Sequence, residues 1–190
     1  EPAKRTQMRM INACSDITRR EVYNGSRQLA EEQWNKIKSR IFTHDKVGMT
    51  MEDLDTYCKD NEVDILVIDQ LDKVNVTGKF NSSHEKLRDI YLQARELAKR
   101  HNCLVIGMSQ ASAEGHGKLN LSFNVMENSK TGKAAEADLI VGIGKNDTDE
   151  ENVNEGNTRT ISISKNKLSG THPVFQLHLI PALSQYKSII

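Results

Sequence analysis

Proline and cysteine are both scarce, with three of each. Cys14, Cys58 and Cys103 stand far apart and form no C-x-x-C pair. That spacing argues against a zinc site or a disulfide framework and fits a reducing, cytoplasmic setting. No apolar run approaches the ~20 residues needed to cross a bilayer, and the start carries no signal-peptide pattern, so no membrane partner is expected. Neither sign of charge dominates: Lys plus Arg is 26 and Asp plus Glu is 26. A neutral total removes any global electrostatic argument for nucleic acid. DNA contacts, if made, must come from local basic patches. The six histidines lack metal-ligand spacing, and no Ser-His-Asp or Cys-His grouping follows from residue order.

One further absence shapes the reading. A phosphate-binding loop has the pattern G-x-x-x-x-G-K-S/T, whose backbone N–H groups cradle phosphates at a helix N-terminus. The Gly-Lys pairs here are Gly78-Lys79, Gly117-Lys118, Gly132-Lys133 and Gly144-Lys145. None is followed by Ser or Thr, and none has a glycine five residues before its own. The chain also opens on Glu1-Pro2 in what reads as mid-domain sequence. The expectation is a piece of something longer, with the phosphate loop upstream of Glu1.

What is present reads as an α/β domain. The 190 residues suit one domain with a full-sized core. "KRTQMRMINA" has helical spacing, and Gly25 reads as a stop after "TRREVYN". "LAEEQWNKIKSRIF" places Leu29, Gln33, Trp34, Ile37 and Ile41 near one helical face. Thr50 with Asp53 three residues on is a capping-box pattern. "VDILVIDQ" predicts a buried strand ending at Asp69, and "CLVIGMSQ" a second ending at Gln110. Between them "HEKLRDIYLQARELAKRH" predicts a helix burying Leu87, Ile90, Tyr91, Ala94, Leu97 and Ala98. Strand, helix, strand is a parallel βαβ unit. "ADLIVGIG" predicts a third strand. "TRTISISKNK" and "HPVFQLHLIP" alternate like half-exposed strands, which suggests antiparallel additions at the sheet edge. Residues 111–133 form a long polar segment, and 145–157 an acidic surface loop.

Several residues carry chemical interest. An aspartate after an apolar strand, here Asp69, suits Mg²⁺ held through water, or an ordinary turn cap. Gln110 at the tip of the next strand could sense a terminal phosphate. Lys165 and Lys167, two apart, point to one face if the strand runs through both. They suit a phosphate, or guard an exposed edge. Lys118, Asn120, Asn128, Lys130 and Lys133 on the long segment suit a nucleic-acid backbone, or bulk solvent.

In order, these segments resemble the RecA-fold motor domain of hexameric replicative DNA helicases of the bacterial DnaB type and their phage relatives. "EPAKRTQMRMI" resembles the family's Glu-Met-Pro-Ala segment and Met-Arg-Met helix. "GSRQLAEEQWNKI" resembles its G-x-L-x-x-x-x-W piece, and "ILVIDQL" its Walker B strand. "ARELAKRHNCLVIGMSQ" is similar to the block ending Leu-Ser-Gln. "KAAEADLIVGI" resembles "IEQDADLIMFI", and "SISKNKLSG" falls on the strand ending Lys-Gln-Arg-Asn-Gly. The resemblance covers nearly all of 1–190. It implies a RecA-like P-loop NTPase core, without its phosphate loop, as a single partial domain. It implies ATP and Mg²⁺ as cofactors, a homo-hexamer around single-stranded DNA, and primase and a helicase loader as candidate partners in a bacterial or phage-infected cell. By the same resemblance, Glu1 falls on the water-activating glutamate and Asp69 on the Mg²⁺ aspartate. Gln110 falls on the amide coupling phosphate state to DNA loops. Lys165 and Lys167 fall on a pair reaching a neighbour's γ-phosphate. The second of that pair is usually arginine, and Lys167 lacks its planar fork. Lys79 and the 111–130 loop fall where the family lines its DNA channel. A fragment without the phosphate cradle is expected to be inactive alone. A RecA-fold recombinase or regulatory ATPase, and a non-catalytic assembly module, are the alternatives.

Overall fold

The structure, a computed structural model, describes residues 2–122, 132–145 and 157–189. Along the chain run helices α1 (Ala3–Ser15), α2 (Arg19–Glu21), α3 (Arg27–Asn35) and α4 (Met51–Asn61). Strand β1 (Ile65–Ile68), helix α5 (Ser83–His101), strand β2 (Leu104–Gly107) and helix α6 (Gly132–Glu136) follow. Strands β3 (Leu139–Gly144), β4 (Thr158–Asn166), β5 (Val174–Ile180) and β6 (Gln185–Ser188) complete the order. The chain divides into two compact units. One holds the described parts of Glu1–Lys46, Thr148–Arg159 and Gln176–Ile190; the other holds those of Val47–Asp147 and Thr160–Phe175.

In the first unit α1 packs on α3, burying Ile17, Ala30 and Trp34. Thr18 caps α2: its hydroxyl accepts from the Glu21 N–H while the Glu21 carboxylate accepts from the Thr18 N–H, so two otherwise orphaned donors are satisfied. Gly25 adopts φ 117°, a conformation open to glycine, and kinks the chain between α2 and α3. The helix predicted through Phe42 ends at Asn35, and Leu29, placed on its apolar face, is exposed. Strands β5 and β6 pair antiparallel, with Ile180 opposite Gln185. The Gln185 amide donates to the Ala13 carbonyl (2.6 Å) and the Asp16 carboxylate (2.7 Å), tying β6 to the end of α1. Strand β6 has no counterpart in the sequence reading, because Gln-Tyr-Lys-Ser lacks an apolar alternation.

The second unit carries the expected βαβ core. β1 and β2 are parallel, with Ile65 opposite Leu104 and Ile68 opposite Gly107. The Thr50–Asp53 capping box starts α4 as predicted. α5 buries Leu87, Ile90, Tyr91, Ala94 and Leu97, with Ala98 only half-buried. These side chains join Met51, Leu54 and Cys58 of α4 and Ile68, Leu71 and Val74 into one core. Both helices therefore cover the same face of the parallel pair.

The other face is open, which corrects the expectation of two fully buried strands. Ile65, Val67, Leu104 and Ile106 are 58%, 52%, 56% and 42% exposed. The reason is the two-residue alternation of strands: Leu66, Ile68 and Val105 meet the helices, and their neighbours point away from them. The third predicted strand is present as β3. It joins β4 in antiparallel order, with a register shift at Ile140/Val141. Strand β4 is not half-exposed throughout, since Thr160, Ile161 and Ser162 are buried.

Ile90 is fully buried at the centre of this core. Ile90→Ala is expected to destabilise the chain by about 2–5 kcal/mol, read as a lower urea midpoint. An unchanged midpoint would mean that α5 does not organise the core.

Candidate nucleotide and DNA-coupling site

The parallel register sets the site. Ile68 pairs with Gly107, so the chain leaves β1 at Asp69 and β2 toward Gln110 at the same sheet edge. The Met108 N–H donates to the Ile68 carbonyl (2.9 Å), and the Leu71 N–H to the Met108 carbonyl (3.0 Å), holding the two tips together. The Asp69–Gln70 peptide is cis. Asp69 and Gln110 are both exposed. Among the described residues, the Asp69 carboxylate has no hydrogen bond or ion pair. Ligands of open α/β sheets bind beyond the carboxyl ends of strands, where these two groups lie.

Beneath the tips lies a polar cluster. Asp72, in the 3-10 turn Leu71–Lys73, accepts from the Tyr91 hydroxyl (2.8 Å) on one oxygen. Its other oxygen accepts from the Ser109 hydroxyl (2.8 Å) and the Lys133 ammonium (2.7 Å). Lys133 also donates to Ser109 Oγ (3.2 Å) and stands 5.6 Å from the centre of the Tyr91 ring. Its side chain is completely buried. Burial and the adjacent Asp72 push the Tyr91 hydroxyl far above the ordinary tyrosine range, although the nearby Ser109 hydroxyl opposes this.

Lys165 and Lys167 both turn toward the segment that follows Lys133. The Lys165 ammonium donates to the Ala134 and Ala135 carbonyls. Burial and the neighbouring Lys167 charge lower its pKa. Lys167 bonds Asp138 twice, by its ammonium (3.1 Å) and its N–H to the Asp138 carbonyl (2.9 Å). β4 ends at Asn166, so Lys167 lies in the following turn rather than on the strand.

The segment after Gln110 also packs back on the sheet. The Ser162 hydroxyl of β4 donates to the Leu121 carbonyl (2.9 Å). A Cβ at Gly142 or Gly144 would overlap the Leu121 or Leu119 carbonyl oxygen, so β3 needs glycine for this close approach. Lys118 and Asn120 lie on this segment with exposed side chains, and Lys79 is exposed in the loop before α5. Glu1, Asn128, Lys130 and nearly all of the acidic loop 145–157 lie outside the described residues.

A family model described as the DnaB-like helicase C-terminal domain matches residues 1–188. The chain belongs to that family. Among solved structures it is similar to a DnaB-like replicative helicase determined with its interactions with primase: 17% identity, TM-score 0.78, covering all of this chain and 49% of that one. It is also similar to a second solved structure, described as an ATPase domain, at 17% identity and TM-score 0.79, covering all of this chain and 72% of that one. The chain thus spans about half the length of the first of these relatives. At such identity the likeness is one of fold, and it agrees with the expected α/β core. Among curated protein sequences, none matches.

Asp69 offers the hard carboxylate oxygen that Mg²⁺ prefers. Among the described residues, no group of three His, Cys, Asp or Glu side chains could hold a metal by itself. Magnesium bound here would need its other oxygens from phosphate and water. No described helix is long and apolar enough to cross a membrane. Lys133, expected among the polar and basic groups of the 111–133 segment suited to a nucleic-acid backbone, is instead buried on Asp72. The one sequence signal for that cluster was Tyr91 on the buried face of α5, because a buried phenol needs a hydrogen-bond partner.

Asp138 is held below the usual carboxylate range, chiefly by its hydrogen bond from Lys167. Its folded pKa is depressed, so the link holds above the ordinary aspartate value of ~3.9. It is lost only as pH falls through the lower folded value. Lys167→Met is expected to raise the Asp138 titration toward the ordinary range, with Arg95 still beside it, measured by carboxyl NMR. An Asp138 curve unmoved by that change would mean that the bridge does not form in solution.

Proposed function

We propose that this chain is the motor part of an ATP-driven replicative DNA helicase, a homo-hexameric ring that moves on single-stranded DNA and unwinds the duplex. The observation that carries this reading is the exposure of Asp69 and Gln110 beyond the carboxyl ends of two parallel strands, in a chain of the DnaB-like family.

In this reading ATP sits at the strand tips. Its phosphate cradle comes from a segment of the longer protein that also covers the open apolar face of Ile65, Val67, Leu104 and Ile106. Asp69 would hold Mg²⁺, which when bound would neutralise charge on the transferring phosphoryl group. Glu1 orients the attacking water and accepts its proton. Gln110 reports the presence of the terminal phosphate to the segment that follows it. Lys165 and Lys167 serve a neighbouring subunit's nucleotide, and Lys167 must exchange Asp138 for phosphate to do so. That exchange costs little, because the Lys167 and Asp138 side chains are 42% and 56% exposed. Lys79, Lys118, Asn120, Asn128 and Lys130 contact the DNA backbone, giving salt-sensitive binding without base reading. Primase and a helicase loader would be partners of the whole protein.

The test uses the full-length protein. Single-stranded DNA is expected to stimulate ATP turnover, and a forked duplex to be unwound. Lys167→Ala is expected to abolish the stimulated turnover and spare nucleotide binding. Unchanged turnover would remove the trans-acting role of Lys167. Strand exchange in place of unwinding would favour the recombinase alternative, and ring assembly without hydrolysis the assembly module.

A further inference from the structure

A lysine with no exposed surface is costly to keep. Taking an ammonium out of water costs several kcal/mol even after relaxation, and an apolar residue of similar size would fill the space more cheaply. Lys133 is the largest fully buried side chain among the described residues. Its charge is met by Asp72, whose carboxylate is 18% exposed, and by Ser109 Oγ.

The positions of these partners matter more than the pair itself. Ser109 immediately precedes Gln110 and opens the way into the polar segment 111–133. Lys133 is the last residue of that segment, in the first turn of α6. Asp72 lies three residues beyond Asp69, in the 3-10 turn that follows β1. One carboxylate oxygen therefore accepts from a residue just ahead of the segment and from its last residue, at 2.8 Å from Ser109 and 2.7 Å from Lys133. The Tyr91 hydroxyl holds the other oxygen, fixing the carboxylate plane against α5.

We propose that Asp72, Ser109 and Lys133 form a positioning link that couples the strand tips bearing Asp69 and Gln110 to the segment 111–133. The inference deepens the helicase reading above and rests on it. When the tip at Gln110 moves, Ser109 moves with it. Ser109 and Lys133 share one acceptor in a water-poor site, so the start of α6 must follow or a charge-assisted bond must break. The same α6 carbonyls receive Lys165, so a shift at Lys133 is also felt by the cationic pair. None of the three touches nucleotide or DNA in this account; they act through Gln110 and the segment.

The simpler alternative is that the cluster only stabilises the fold. A buried pair behaves distinctively when dismantled. Removing one partner strands a charge, while removing both relieves it. The experiment uses the full-length protein with Asp72→Asn, Lys133→Met, the two combined, and Ser109→Ala. Two quantities are read: the thermal midpoint, and the ratio of ATP turnover with a dT oligonucleotide to turnover without it. Each single change at Asp72 or Lys133 is expected to lower the midpoint and cut the ratio about tenfold. The combined variant is expected to recover the midpoint but not the ratio. Ser109→Ala, a small change, is expected to keep the midpoint and still lower the ratio. Recovery of the ratio together with the midpoint in the combined variant would overturn the link, as would an unaltered ratio in Ser109→Ala. Absence of DNA-stimulated turnover in the unsubstituted protein would overturn the helicase reading, and this inference with it.

Discussion

The parallel register of β1 and β2 is the constraint on which the candidate site depends. Because Ile68 pairs with Gly107, the two strands finish level. Two short-range bonds across the tips, Met108 to Ile68 and Leu71 to Met108, carry that level arrangement into the turns beyond. Asp69 and Asp72 of one tip then lie in one small region with Ser109 and Gln110 of the other, although the whole of α5 separates the two pairs along the chain. A one-residue slip would exchange the faces of a strand, turning Ile68 off the helical core and Val67 onto it. The core on α4 and α5 therefore selects the register, and the register brings the polar groups together.

The lysines of this unit illustrate how one residue type divides among different tasks. Lys133 is buried on a carboxylate, Lys165 donates to helix carbonyls, and Lys167 forms an exposed ion pair. All three lie on or beside the short stretch from α6 to the start of β3. Their common target makes that stretch a junction between the strand tips and the antiparallel strands. An exposed pair such as Lys167–Asp138 can be exchanged at small cost. The buried pair at Asp72 cannot be opened without stranding a charge. The junction therefore combines a fixed point with an exchangeable one, which suits a domain proposed to change state with its nucleotide.

The sequence made the βαβ unit legible through local patterns that tertiary structure had no reason to override. The apolar stripe of α5, the Thr50–Asp53 box and the apolar runs of β1 and β2 each appear in place. Asp69 and Gln110 were legible because each ends such a run. Element length and strand pairing, by contrast, depend on groups distant in the chain. The helix through Trp34 stops at Asn35, and β6 carries too little apolar alternation to be seen. Strand exposure was also hidden: an apolar run has the same letters whether both faces are covered or one.

By itself, the sequence determined the helical and extended segments, the candidate strand-tip residues and the absence of a phosphate-loop motif within these 190 residues, since those depend on neighbours along the chain. Only the tertiary structure decided that β3 pairs antiparallel with β4, that one face of the parallel pair lies open, and that Lys133 turns inward to share Asp72 with Ser109. Those outcomes depend on which distant groups meet. A lysine on a polar segment reads as a solvent-facing cation until the fold brings a carboxylate and a phenol to surround it.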